Sequence, residues 1–251
     1  MKKKHGITRR EAIGTIGAGF ASPLFLNGGL AESLDKEGPV TAVDYSLQSK
    51  ISGLQVPDVI SVVGCGGFGS WPALFAALSG VKKLVVFDPA QIDSLDLART
   101  PYPASYLGKA KVTALRDLIV HLRPDVSVET HEQLFATKDF GLIQGPILFD
   151  GTNDPELGEA LSKSAEQRKF RYVTGFYIGE NVGVMNSYAG APKFESGKNV
   201  PVWIGTAALS GILALNSAFH EPFSFLGSTR ELNTSSQKMA KKLSALGAVG
   251  K

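Results

Sequence analysis

Four glycines, Gly64, Gly66, Gly67 and Gly69, stand where an apolar run gives way to a helical pattern. Val59-Ile60-Ser61-Val62-Val63, just before them, is apolar at all but one position, as a buried strand would be. Ser70 to Leu78, just after, reads as a helix with Pro72 in its first turn and Gly80 as its stop. Glycines in that setting let backbone approach a phosphate, and the free N–H groups and partial positive charge of the helix start attract it. Asp88 lies 19 residues past Gly69, closing a second apolar run, Leu84-Val85-Val86-Phe87. A carboxylate there can accept both hydroxyls of a ribose. The four glycines and Asp88 are therefore candidate nucleotide-binding residues. On these residues alone NAD and ATP are equally served.

Such a site needs a scaffold, and the rest of the chain supplies a strand–helix alternation. A short helix is expected within Val43–Ser52. Lys109 to Leu122 is apolar at helical spacing (Val112, Leu115, Ile119, Leu122) and stops before Pro124. Val126 to Thr130 alternates as a strand, and Ile147-Leu148-Phe149 is another that closes on Asp150. Pro155 to Lys169 reads as helix, Arg171 to Thr174 and Gly183 to Tyr188 as strands, and Ala189 to Val200 as a loop. Ile204 to Phe219 is a long apolar helix rich in small residues, and Ser235 to Ala245 a short basic one. The alternation predicts an α/β fold: a Rossmann-like, mostly parallel sheet with right-handed crossovers and helices on both faces. Ligands in such sheets sit beyond the carboxyl ends of the strands.

The segment after Asp88 resembles the ThiF/MoeB/HesA family of adenylating, ubiquitin-activating-enzyme-like proteins. The family pattern is N-L-x-R-Q followed by G-x-x-K opening a helix. Here it is matched by Asp96-Leu97-Ala98-Arg99-Thr100 and Gly108-Lys109-Ala110-Lys111. From residue type alone, Arg99 would cap a loop and Lys111 would be a solvated helix residue. The resemblance implies instead that they are the phosphate-binding Arg and Lys, the catalytic pair, offsetting charge on pyrophosphate as it leaves. Asp150-Gly151-Thr152-Asn153-Asp154 resembles the family's D-x-T-D-N, whose second Asp holds Mg²⁺. The last two positions are transposed, which leaves Asp154 as the candidate metal carboxylate beside Asn153. Asp150 is a candidate cofactor-binding residue or a cap for the following helix. The resemblance spans about 59–219 and is tightest over 59–112.

What it implies is an ATP- and Mg²⁺-dependent adenylyltransferase that activates a carboxylate. The acceptor would be a small β-grasp (ubiquitin-like) protein or another carboxylate, and the enzyme a homodimer. Besides the Asn153-Asp154 transposition, the sequence departs from the family in three further ways. No Arg lies between Glu32 and Ala98, where Lys50 is the nearest basic substitute; Asp96 stands for the family's asparagine; and no downstream Cys is available for thioester transfer. Those departures suit a second expectation, a relative that binds nucleotide or a partner without turnover. A third, an NAD-dependent oxidoreductase, is permitted by the glycine loop and Asp88. It lacks a Tyr-x-x-x-Lys pair, since Tyr102 precedes Pro103 and Tyr106 has Ala110 four residues on.

Charge and composition bound the remaining choices. Of the 26 basic and 23 acidic residues, Lys2, Lys3, Lys4, Arg9, Arg10 and Glu11 lie in the first 31. The remainder holds 21 basic and 22 acidic residues, so no basic field argues for nucleic acid. Residues 1–31 resemble a twin-arginine export signal: a basic start ending in Arg9-Arg10, a mild apolar run from Ala12 to Leu26, then Gly29-Leu30-Ala31. That run is too short and glycine-rich for a stable membrane span. Export to the periplasm or cell surface is expected, with a cytoplasmic location as the alternative. Residues 32–222 are expected to form the nucleotide-binding domain, and 223–251 a tail with a short helix. The single Cys65 excludes an internal disulfide framework, and His5, His121, His131 and His220 show no metal spacing.

Overall fold

The structure, a computed structural model, describes residues 43–188, 201–232 and 234–235. The export signal, the 189–200 loop and nearly all of the expected 235–245 helix lie outside the described residues. The strands are β1 (Val59–Val63), β2 (Lys83–Phe87), β3 (Ser127–His131), β4 (Ile147–Asp150), β5 (Arg171–Ile178), β6 (Asn181–Met185) and β7 (Phe225–Ser228). The α-helices are α1 (Ser70–Leu78), α2 (Lys111–Leu122), α3 (Pro155–Arg168) and α4 (Ile204–Phe219). β1, α1 and α4 span the residues expected from the sequence, and α2 begins two residues late, at Lys111. Only a 3₁₀ turn, Gln48–Lys50, forms in the first expected helix.

One sheet runs β3-β2-β1-β4-β5-β6-β7, parallel through β5. Alternation along each strand feeds two cores. Ile60, Val62, Leu84 and Val86 meet α1, α2 and α4 on one face. Val63, Val85, Phe87 and Leu148 meet α3 and the 3₁₀ segment Thr137–Leu142 on the other. Because both faces are covered, these strands read as continuous apolar runs. The fold is the mostly parallel α/β sheet expected.

The last two strands reverse direction. Gly179-Glu180 forms a two-residue hairpin between the paired residues Ile178 and Asn181, with Gly179 at φ +55. A glycine in that left-handed conformation suits a type II′ turn, so β6 runs antiparallel to β5. β7 then pairs with β6 beyond the domain boundary expected at residue 222. Ser228 and Glu231 make a reciprocal capping box that starts a helical stretch at 229.

Two arginines satisfy helix carbonyls. Arg123 Nη1 donates to Ala77 O (3.1 Å) and Leu78 O (3.3 Å) at the end of α1 and is paired with Asp125. Arg171 Nη1 does the same at the end of α4, reaching Ala218 O and His220 O. The small residues of α4 allow close packing on α1: a side chain at Gly211 would meet Trp71 Cβ and, at 3.2 Å, Pro72 N.

Candidate functional site

Strand register sets the site. Val63, Phe87, Asp150 and Thr174 lie in one row across β1, β2, β4 and β5. Gly64, Asp88 and Gly151 therefore leave the sheet together at its carboxyl edge. The chain proceeds outward from β1 to β2 and β3, then returns to the other side of β1 as β4. The glycine loop sits at this switch point, where a crevice opens in such sheets.

The glycines do different work. Gly64 has φ +85, and a Cβ on it would lie 2.7 Å from Gly151 C and 2.9 Å from Thr152 N. A Cβ on Gly69 would run into Gly64 O. Both keep the loops after β1 and β4 in contact. On Gly67 a side chain would strike the Tyr177 phenol and lie 3.1 Å from Arg99 Cδ. Gly66 differs: its φ is outside the left-handed region, and a Cβ would meet nothing within 4 Å. Nothing among the described residues requires glycine at 66. The N–H groups of Gly66, Gly67, Phe68 and Gly69 make no hydrogen bond among the described residues.

Asp88, 7% exposed, accepts from Cys65 N and Ala90 N, each at 2.7 Å, and so ties the glycine loop to the strand that follows it in the sheet. Each of its oxygens retains a second lone pair. Cys65 is fully buried, and burial pushes its thiol well above the usual range, as suits a small packed residue.

Arg99 and Lys111 come together through Asp96. The loop after β2 is folded by Asp93, whose Oδ1 accepts from Leu95 N and Asp96 N and starts the 3₁₀ turn Asp96–Ala98. Arg99 follows that turn, its carbonyl accepting from Trp71 Nε1 at 2.9 Å. Lys111 opens α2, after Gly108 at φ +79, and its N–H donates to Ala90 O. Asp96 Oδ1 lies 3.0 Å from Arg99 Nη2, and Oδ2 lies 3.0 Å from Lys111 Nζ. Burial raises the Asp96 pKa, but hydrogen bonds from Asp93 N, Lys111 and Arg99 outweigh it and hold the carboxyl below its usual range. Lys109, two residues before Lys111, turns away to Asp117 and lies over the Tyr106 ring. Tyr102 Oη donates to Cys65 O at 2.7 Å, bracing the glycine loop from the same segment.

The turn after β4 is organised by Asp150 and Asp154. Asp150 is buried and accepts from Tyr172 Oη (2.6 Å), Thr152 Oγ1 (2.7 Å) and Thr152 N (3.0 Å). Burial raises its pKa against those hydrogen bonds. It holds the turn and does not cap α3. The cap is Asp154, whose Oδ1 accepts from Glu156 N and Leu157 N, with Pro155 at the first helical position. Asn153 has φ +56, a conformation asparagine tolerates. The order Asn153-Asp154 thus places each residue type where the backbone favours it. Asp154 Oδ2 carries no hydrogen bond among the described residues, and no cluster of three or more His, Cys, Asp or Glu forms there. Lys50 lies exposed on the turn before β1.

Tyr177, Trp71 and Tyr102 also contact the glycine loop or the Arg99 segment, and no sequence signal marked those contacts. They lie outside the glycine and Arg–Lys spacings and reach the loop only through strand register and helix packing.

A switch-point glycine loop, a carboxylate at the end of the next strand and two converging cations stand at the carboxyl edge of a Rossmann-like α/β sheet, the layout of a candidate nucleotide site. The ThiF family profile matches residues 40–176, more than half of the chain, and the chain belongs to that family. Among its relatives, ubiquitin-like modifier-activating enzyme 5 of Caenorhabditis briggsae is 36% identical over 89 residues, 35% of this chain and 21% of that protein. The match thus spans about a fifth of that relative's length. E. coli MccB, solved with succinimide, superposes with a TM-score of 0.57 at 14% identity over 68% of this chain and 63% of its own. E. coli tRNA N6-threonylcarbamoyladenosine dehydratase, TcdA, solved with ATP, gives 0.56 at 16% identity over 64% and 84%. At those identities the two structures speak for the fold.

Proposed function

We propose that this chain is an ATP-dependent adenylyltransferase that activates a carboxylate. The observation that carries this reading is the convergence of Arg99 and Lys111, from a loop and a helix, on Asp96 beside the glycine loop. Gly66 adds to it: its open Cβ direction and the unpaired N–H groups around it fit a phosphate that approaches the backbone. Asp88 would hold the ribose with its remaining lone pairs, and Asp150 would serve the nucleotide indirectly by fixing the turn after β4. E. coli MccB has been solved with ATP, and the microcin C7 biosynthetic enzyme MccB with N-formylated MccA.

In the reaction, a carboxylate oxygen of the acceptor attacks the α-phosphorus in line, and the bond to the bridging oxygen breaks. An acyl-adenylate and pyrophosphate result. The protein positions the reactants and offsets charge. Arg99 and Lys111 would take up the charge gathering on pyrophosphate, a contribution worth about 10²–10³ in rate for each positioned donor. Mg²⁺ would arrive with the triphosphate and shield its charge. Asp154, with Oδ2 to spare, fits as its one protein carboxylate, because Mg²⁺ is commonly held by one or two carboxylates plus phosphates.

The acceptor we favour is the C-terminal carboxylate of a small β-grasp protein or a peptide, with the chain acting as a homodimer. The N-terminal segment would export it through the twin-arginine route. Among the described residues no helix is long and apolar enough to cross a membrane. A second reading, nucleotide or partner binding without turnover, is favoured by one feature: Asp96 places a negative charge between the two cations a triphosphate would use.

Titration of the full chain with ATP·Mg²⁺, with NAD as control, tests the site. ATP binding that weakens at least tenfold in Arg99→Ala and in Lys111→Ala is expected. Pyrophosphate exchange then separates turnover from binding. A folded protein that binds NAD and not ATP would return it to the oxidoreductase alternative.

A further inference from the structure

β5 outruns the sheet it belongs to. Its parallel pairing with β4 ends at Asp150–Thr174, yet the strand continues to Ile178, paired there with antiparallel β6. At about 3.3 Å per residue, Tyr177 stands about 10 Å beyond the carboxyl edge. Alternation puts Val173, Gly175 and Tyr177 on one face of the strand. Val173 is in the core with α1, and Gly175 is small because the Phe68 ring of the glycine loop packs over it, in the space a Cβ would need. Tyr177 comes next. Its ring leans on that same core, and its hydroxyl reaches Gly67, beside the Arg99 side chain.

We propose that Tyr177 is a nucleotide-contacting residue, whose hydroxyl donates to a phosphate oxygen held between the glycine loop and Arg99. The proposal rests on the nucleotide reading above and adds a residue and a role to it. The residue is half-buried and its hydroxyl makes no hydrogen bond among the described residues, although its neighbours Gly67 and Arg99 belong to the candidate site. A phenol that served only to fill the core would not need to carry its oxygen to the glycine loop. Burial, countered in part by Arg99, pushes its pKa up to about 12, so the group is an O–H donor at neutral pH. Gly67 is the other half of the arrangement: a Cβ there would occupy the space of the hydroxyl. The phenol oxygen and the Arg99 side chain thus both lie beside Gly67, next to the unpaired N–H groups of the loop.

The test is calorimetric titration of the wild-type full chain and Tyr177→Phe with ATP and with adenosine, beside thermal unfolding of each. Phenylalanine keeps the ring and its packing. The expected result is an ATP affinity lowered about tenfold, as for loss of one hydrogen bond to a charged group, with adenosine affinity and Tm unchanged. Equal loss for ATP and adenosine, or a lowered Tm, would make Tyr177 a structural residue and overturn the proposal. Unchanged ATP affinity overturns it as well, while wild-type ATP binding leaves the site itself standing. Absence of ATP binding by the wild-type chain removes both.

Discussion

Asp96 and Lys111 form a buried ion pair, Oδ2 to Nζ at 3.0 Å, with the carboxylate 1% and the lysine side chain 12% exposed. The other carboxylate oxygen holds Arg99, so one anion organises both cations of the site. An asparagine at 96 would accept from one of them at most. Replacing it therefore separates two effects, loss of the anchor and loss of a charge that repels phosphate.

Asp96→Asn should destabilise the fold by about 3 kcal/mol, the low end for breaking a buried pair, because Arg99 is partly solvated. Its pKa is depressed in the fold, so the stabilisation is present above the ordinary value of 3.8 and is lost as pH falls through the lower folded value. Urea denaturation of both proteins should show a gap at pH 7 that closes below that value. ATP affinity should move the other way, rising roughly tenfold as one repulsive charge goes. A variant that is both less stable and weaker for ATP would show that Asp96 acts only as an anchor.

The glycine loop predicts a dissociation between stability and binding. Gly64→Ala forces a left-handed residue against the Gly151 backbone and should cost about 3 kcal/mol. Gly66→Ala meets no protein atom and should leave stability unchanged or raise it by about 0.5 kcal/mol. It should nonetheless abolish most ATP binding. If Gly66→Ala bound ATP normally, phosphate would not approach the loop there.

Asp150 should show the opposite pH sense to Asp96. Burial raises its folded pKa, so its contribution is fully present below the ordinary 3.8 and is lost as pH rises through the raised folded value. Asp150→Asn keeps an acceptor for Thr152 and removes the buried charge. Measured by denaturant midpoints, it should gain on the wild type as pH rises from 3.8 toward 7. A constant difference across that range would mean the carboxyl titrates normally.

Asp154 carries a cap and, on the proposed reading, a metal. Asp154→Ala should lose about 1 kcal/mol of stability, while Asp154→Asn, an equally good cap, should lose almost none. Only the metal role predicts that Asp154→Asn also weakens ATP·Mg²⁺ while leaving metal-free ATP unchanged. Equal affinities for both forms would restrict Asp154 to the helix.

Much of this was legible from residue order because local physics decides it. β1, α1 and α4 follow from mostly apolar runs with few charges, and the glycine loop announces itself by strand, turn and helix in succession. The apolar pattern alone did not show the antiparallel turn-back, although Gly175-Phe176-Tyr177 through Gly183-Val184 resembles the family's strand-and-turn at that place. Gly179-Glu180 is a hairpin only when β5 is read through to Ile178, and the apolar pattern of Arg171–Thr174 gave no reason to extend it.

What the sequence by itself determined was the fold class, through the alternation of strand and helix patterns, and the place of the glycine loop, through its immediate neighbours; Arg99 and Lys111 were singled out only by resemblance to the family. Tertiary structure alone decided how they meet. Asp96 looked like a misplaced charge beside phosphates until the loop after β2 folded back on α2 and set it between Arg99 and Lys111. Tyr177, more than a hundred residues from Gly67, reaches it because a strand overhangs the sheet. Such contacts depend on register and packing, which no local spacing encodes.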